Sequence, residues 1–242
     1  MPSVRRLWRQ LTAIRGRKLE ELAEWLDWAE GDLRAWLESK DLPDERYFYE
    51  IFAVPKHRGG FRTISAPSSE LKALQRRVSR RVLTHLPVHP CATGFRPNVS
   101  VVDNARPHVG QAVVLSVDLK DFFPSISADR VEQYFVKIGW GWEATLVLTR
   151  ICTYRGCLPQ GAPTSPALSN LVNYKLDARL AGLTRTFDGR YTRYADDITL
   201  SFAQEPKSVE HILHLVRAIV KDEGYEIQRR KRMRVLRQHQ QQ

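Results

Sequence analysis

Apolar positions along the chain follow two rhythms. From Trp8 to Leu37 they recur at intervals of three and four, the spacing of amphipathic helices. Gly31-Asp32 interrupts that spacing, which makes Asp32 a candidate cap for a following helix. Residues 46–66 alternate instead, and Gly59-Gly60 between two strand-like runs reads as a β-hairpin. Residues 68–86 return to helical spacing through Leu71, Leu74, Val78 and Val82, with Ser68 or Ser69 as N-cap and Pro87 and Pro90 beyond the end. Val113–Val117 is an apolar run of the kind that forms a buried central strand. Helices follow over 128–138, capped by Ser127, over 143–154, over 164–181 and over 207–222, with Gly224 ending the last. Strands are predicted on both sides of residues 195–197, at 225–227 and at 233–237.

Charge changes this picture at two places. Tyr191–Phe202 holds adjacent carboxylates, Asp196 and Asp197, between two short apolar and β-branched runs, so the pair sits at a tight turn. One reading is a polar hairpin tip with Asp as turn former. The other is half of a divalent-metal site, because neighbouring like charges are unfavourable without a cation close by. Asp118 ends the apolar run that begins at Val113, where a central strand leaves the core. A buried carboxylate there needs a cation or strong donors. If the strand pairs beside the hairpin, Asp118, Asp196 and Asp197 meet, and three carboxylates on rigid strands suit Mg²⁺. Two such ions clamp the attacking and leaving oxygens of a phosphoryl transfer.

These residues carry a family resemblance. Tyr194-Ala195-Asp196-Asp197 after Val117-Asp118-Leu119 resembles the paired catalytic motifs of reverse transcriptases. Leu158-Pro159-Gln160-Gly161 between them resembles the Leu-Pro-Gln-Gly motif of the same enzymes, in the same order. Asn104-Ala105-Arg106-Pro107-His108 resembles the signature of the bacterial retron branch. The resemblance covers residues 45–239. It implies an α+β fold: a polymerase palm of antiparallel sheet with helices on one face, plus fingers and a helical N-terminal extension. The implied division is 1–44 extension, 45–112 fingers and 113–242 palm, with part of the fingers inserted around 130–160. Residues 1–44 also admit a helix-turn-helix that reads DNA, although a helical extension packed on the body is the simpler reading.

The resemblance assigns roles. Asp118, Leu119, Asp196 and Asp197 form the set that binds two Mg²⁺ ions, the three aspartates being catalytic. Lys56 and Arg62 flank the basic hairpin and face the triphosphate of a deoxynucleoside triphosphate, Arg62 by a forked contact. Phe123 lies under the incoming sugar and excludes a 2′-hydroxyl, Phe122 being core, while Gln160 and Gly161 meet the nucleotide or template. Gly161 allows a close backbone approach to a ligand. The region of Gly94-Phe95-Arg96-Pro97 closes the nucleotide site. Asn104 and His108 form either a structural hydrogen-bonding pair or a contact to the guide RNA. Arg229, Arg230 and Arg232 belong to a cation-dense stretch that suits a nucleic-acid backbone. Lys72, Arg76, Arg77, Arg80 and Arg81 are either a solvated helix face or a phosphate-tracking surface.

Composition narrows the partners. The 242 residues are 43% hydrophobic and 10% aromatic, as in a globular chain. A formal net charge of +11 favours a polyanion. There is no run of 18 apolar residues and no apolar stretch near Met1 of the kind a secretory signal needs, so a cytoplasmic protein without membrane contact is expected. Cys91, Cys152 and Cys157 have too few neighbouring Cys or His for a zinc site and read as thiols of a reducing compartment. The sequence stops at Gln242, before the Val-Thr-Gly stretch and helical thumb of retron-type enzymes, so the expectation is either a truncated product or a second chain that supplies the thumb. The function implied is RNA-templated DNA synthesis on a structured noncoding RNA, yielding its DNA copy, in anti-phage defence beside an effector protein. The alternative is a catalytically weak palm that binds nucleic acid and relies on that second chain.

Overall fold

The computed structural model describes residues 17–38, 47–55, 59–228 and 234–237. They divide into two compact units, each discontinuous in sequence: residues 1–87 with 126–172, and residues 88–125 with 173–242. This division differs from the sequence expectation, because 88–112 groups with the sheet that carries Asp118 and the N-terminal helices group with the hairpin.

In the first unit, helix α1 (Leu19–Leu26) buries Leu19, Leu22, Ala23 and Leu26, one stripe of a 3.6-residue repeat. It ends at Asp27, whose backbone is left-handed (φ 50°). Helix α2 (Glu30–Glu38) starts before Gly31, so the break falls at Asp27 and not at Gly31-Asp32. Asp32 lies in the first turn of α2, where its carboxylate accepts from the Trp28 indole N–H at 2.9 Å. Strands β1 (Tyr49–Pro55) and β2 (Phe61–Pro67) pair as an antiparallel hairpin in which Val54 faces Arg62. Helix α3 (Ser69–Val78) has Ser68 as its N-cap, the hydroxyl accepting from Leu71 N–H at 3.3 Å. A π-turn over Ser79–Leu83 continues it. Helices α5 (Ala128–Lys137) and α6 (Trp142–Cys152) follow the predicted ranges closely, with Ser127 capping α5. Arg77 and Arg81 have partners inside the chain. They donate to the carbonyls of Trp25, Leu26 and Asp27 at 2.7–3.1 Å, neutralising the C-terminal end of α1.

The second unit is a four-stranded antiparallel sheet in the order β4-β5-β3-β6, from β3 (Val113–Asp118), β4 (Gly189–Tyr194), β5 (Asp197–Phe202) and β6 (Arg234–Arg237). Val113, Leu115 and Val117 alternate into its core with Ile198, Leu200 and Phe202. Fully burying each such side chain contributes about 1.5–3 kcal/mol. Helix α4 (Val101–Ala105) runs into a 3₁₀ turn ending at His108. Helix α8 (Tyr174–Arg185) packs on β4, and α9 (Val209–Asp222) packs against α8. The helix expected over 164–181 is two helices, α7 (Ser165–Val172), which belongs to the first unit, and α8, parted at Asn173. Asn173 leaves the helical conformation (ψ 9°) and accepts from the Tyr225 hydroxyl at 2.8 Å. Tyr225–Ile227 is not a strand; Ile227 makes a single bridge to Leu119. The α+β class with an antiparallel sheet is as the sequence implies.

Candidate active site

The strand register sets Asp118 beside Asp197. Asp118 and Asp197 are direct cross-strand partners, so both side chains leave the same face of the sheet. One residue further, Leu119 N–H donates to the Asp196 carbonyl at 3.0 Å, which ties the turn to the end of β3. The Asp118 carbonyl is taken by Gln228 N–H at 2.8 Å. Asp118 is buried, Asp196 half-buried and Asp197 exposed, a gradient from core to solvent across one corner. These are hard oxygen donors of the type Mg²⁺ takes, and Leu119 adds only a carbonyl. Among the described residues, no three His, Cys, Asp or Glu side chains form a closed ligand cluster. Like-charged carboxylates repel, and what brings residues 118, 196 and 197 to one corner is the backbone pairing.

The turn between β4 and β5 has two residues, Ala195 and Asp196, closed by the Tyr194–Asp197 pair. Ala195 has φ +55°, a region that favours glycine. A strained residue of this type costs of order 1–3 kcal/mol and persists only where its surroundings over-determine it. Those surroundings are visible. Arg193 is fully buried and grips Asp177 of α8 through Nε and Nη2, both at 2.7 Å, while its Nη1 donates to the Ala195 carbonyl at 3.0 Å. On the backbone, Arg193 N–H donates to the Cys91 carbonyl and Thr93 N–H donates to the Arg193 carbonyl, at 2.8 and 2.9 Å. Gly94 then lies so close that a Cβ there would stand 2.7 Å from the Ala195 nitrogen.

Aromatic rings border the same corner. Phe122 is core and Phe123 half-buried, but not by strand alternation: β3 has ended at Asp118 and a turn with Asp121 at φ +45° carries them. The Phe95 ring lies 5.9 Å from Phe123 and 6.4 Å from Tyr194. Phe95 is exposed, on a left-handed backbone (φ 59°).

Asn104 and His108 do not pair with each other. The Asn104 carbonyl oxygen of the side chain accepts from the Thr93 hydroxyl at 2.6 Å. The buried His108 ring bonds Ser201 through Nδ1 at 2.7 Å and Thr192 through Nε2 at 2.8 Å. With both nitrogens occupied inside the unit, the ring ties the 3₁₀ turn to β4 and β5 and presents no free edge to an RNA. Burial first, then the charge of Arg190, lowers its pKa to about 4. The folded state therefore favours the neutral ring. The stability this contributes is complete above the unfolded value near 6.5 and is lost as pH falls towards 4. Thermal melts should show a loss on the order of 2 kcal/mol across that window which a His108→Gln variant does not share. Parallel pH profiles for both proteins would exclude His108 as the cause.

The remaining predicted residues lie in the first unit or outside the described residues. Arg62 is exposed on β2 opposite Val54. The Gln160 carbonyl accepts from Ser65 N–H at 2.8 Å. Gly161 (φ +132°) admits a close approach, but of the β2 backbone: a Cβ would meet the Ser65 carbonyl at 2.7 Å. Lys56, Arg229, Arg230 and Arg232 lie outside the described residues. Arg193 and Asp177 are residues that the sequence did not single out for a role, whereas Gly94 and Phe95 belong to the region that the resemblance assigns to closing the nucleotide site.

The reverse transcriptase (RNA-dependent DNA polymerase) profile matches residues 54–242. The chain belongs to the reverse transcriptase family. It is 42% identical to the retron Mx65 reverse transcriptase of Myxococcus xanthus over 89% of this chain and 54% of that protein. It is 44% identical to the retron Ec86 reverse transcriptase of Escherichia coli over 76% of this chain and 58% of that protein. The retron Mx162 reverse transcriptase of Myxococcus xanthus is 38% identical over 86% and 48%. The chain thus spans about half the length of the relatives it matches. Reverse transcriptases generally use divalent metal ions, and their palm and fingers are mixed helix-and-sheet structures of the kind seen here. Among the described residues, no helix is long and apolar enough to cross a membrane.

Proposed function

We propose that this chain is the polymerase portion of a retron-type reverse transcriptase, copying a structured noncoding RNA into DNA from deoxynucleoside triphosphates. The observation that carries the reading is the cross-strand pairing of Asp118 with Asp197, one rung from the Leu119–Asp196 bond. Asp118, Asp196 and Asp197, with the Leu119 carbonyl, would hold two Mg²⁺ ions. When bound, these ions supply the Lewis acidity and charge neutralisation that phosphoryl transfer needs.

The chain's own residues do the rest by orientation. The β3–β5 ladder fixes where the carboxylates emerge, and the left-handed Ala195 aims Asp196 off the end of β4. Half-buried Phe123 offers a flat apolar wall that favours a deoxyribose over a ribose. The nucleotide-facing roles of Lys56, Arg62, Gln160 and Gly161, and the nucleic-acid contacts of Arg229, Arg230 and Arg232, rest on the family resemblance. So do the effector protein, the defence role and the second chain supplying a thumb.

Primer extension on an RNA template tests the reading. Deoxynucleotides should be incorporated in Mg²⁺ and not in EDTA, by this chain or by this chain with its C-terminal complement. Retarded RNA in a gel shift, with no extension under either condition, would overturn it in favour of a binding module.

A further inference from the structure

We infer that Arg193, locked by Asp177, is a positioning residue for the turn that carries Asp196 and Asp197. This rests on the polymerase reading of those aspartates.

Stability alone does not account for the pair. Both side chains are fully buried, and the ion pair at 2.7 Å is bidentate. Buried pairs of this kind are often no more stabilising than well-packed apolar side chains of similar volume. What an apolar pair cannot supply is the third donor. After Nε and Nη2 are spent on Asp177, the planar guanidinium has Nη1 pointing one way only, and it meets the Ala195 carbonyl at 3.0 Å. That carbonyl belongs to the peptide leading into Asp196. A lysine carries all its donors on one nitrogen, so it could satisfy Asp177 but not also span to the Ala195 carbonyl as the planar fork does.

Asp177 is itself prevented from turning. The Tyr191 hydroxyl donates to the same Oδ1 that receives Arg193 Nε, at 2.7 Å. The guanidinium carbon also lies 5.7 Å from the Phe122 ring, which closes another side. The brace therefore runs from α8 through a rigid fork to the turn, and it explains how a non-glycine residue is kept at φ +55° there. Its consequence is geometric. The backbone that carries 196 and 197 is held in register with the end of β3, where Asp118 faces Asp197.

The test uses the full chain, with Mn²⁺ as probe, in two variants: Arg193→Lys, and the apolar pair Arg193→Met with Asp177→Leu. Mn²⁺ affinity is read by electron paramagnetic resonance, folding by thermal melting, and kcat and KM for the deoxynucleotide by primer extension. The apolar pair should melt as a cooperative fold, yet bind Mn²⁺ roughly 10–100-fold more weakly, as loss of a supporting contact around metal ligands does. Its kcat should fall by a similar factor, with KM for the nucleotide little changed. Arg193→Lys should fold and show the same weakening. Wild-type Mn²⁺ affinity in a folded apolar pair overturns the inference, and if that variant does not fold, wild-type affinity in Arg193→Lys does so. Failure of the unaltered chain to bind Mn²⁺ would instead bring down the polymerase reading, and this inference with it.

Discussion

Asp196→Asn is expected to keep the fold and to lower Mg²⁺-dependent incorporation by at least ~10³-fold, since metal stabilisation of a transition state is worth several kcal/mol and each 1.36 kcal/mol is tenfold. The backbone tie of residue 196 is kept: its carbonyl accepts from Leu119 N–H, and asparagine retains that bond. The side chain is half-buried and nearly isosteric, so no cavity forms. What changes is one negative oxygen. Asparagine retains a carbonyl but loses the charge that holds a hard cation. Initial rates of primer extension, with circular dichroism melts of both proteins, measure the two halves of the expectation. A variant that extends within a few-fold of wild type would remove Asp196 from the machinery.

The second large effect is expected at a residue with no chemistry. Gly94→Ala places a methyl group 2.7 Å from the Ala195 nitrogen and 3.3 Å from the Tyr194 Cα and carbonyl carbon. These are backbone atoms, so no side chain can swing aside. Either the 92–94 segment leaves β4, breaking the Thr93-to-Arg193 bond of 2.9 Å, or the turn moves. Overpacking of this sort costs typically 1–3 kcal/mol. A shift of ~1 Å at a reacting centre costs roughly 10²-fold in rate. Thermal melting should report the first and primer extension the second. Unchanged activity would mean that the turn tolerates displacement, and that its strain has no bearing on catalysis.

Much of the corner was legible because its signals are local. An apolar run ending in Asp118, and two β-type runs flanking Asp196-Asp197, set both strands and their faces. Ser68 and Ser127 announced their helices through the capping chemistry of a single hydroxyl. What escaped depends on partners distant in sequence. Arg193 sits in a strand where an arginine reads as solvent-facing, and only α8, which brings Asp177, makes it a core residue. For His108 the sequence left a structural pair with Asn104 and an RNA contact both open, because its actual partners, Thr192 and Ser201, lie far along the chain. Gly161 promised a close approach, but sequence could not say that the visitor is the backbone of Ser65. The break at Asn173 has no proline or glycine to announce it; its side chain answers to Tyr225, far along the chain.

The interleaving of the two units bears on how the protein is made. A ribosome delivers β3 early, then the whole of residues 126–172, which belong elsewhere, before the strand that will lie against it emerges. Until residue 202 is out, Val113, Leu115 and Val117 are a naked sticky edge with no sheet to join. Pairing so remote in the chain is slow and leaves nascent material open to aggregation. Yields from a recombinant host should therefore respond to slower translation or added chaperone more strongly than to any change in the first unit's hairpin.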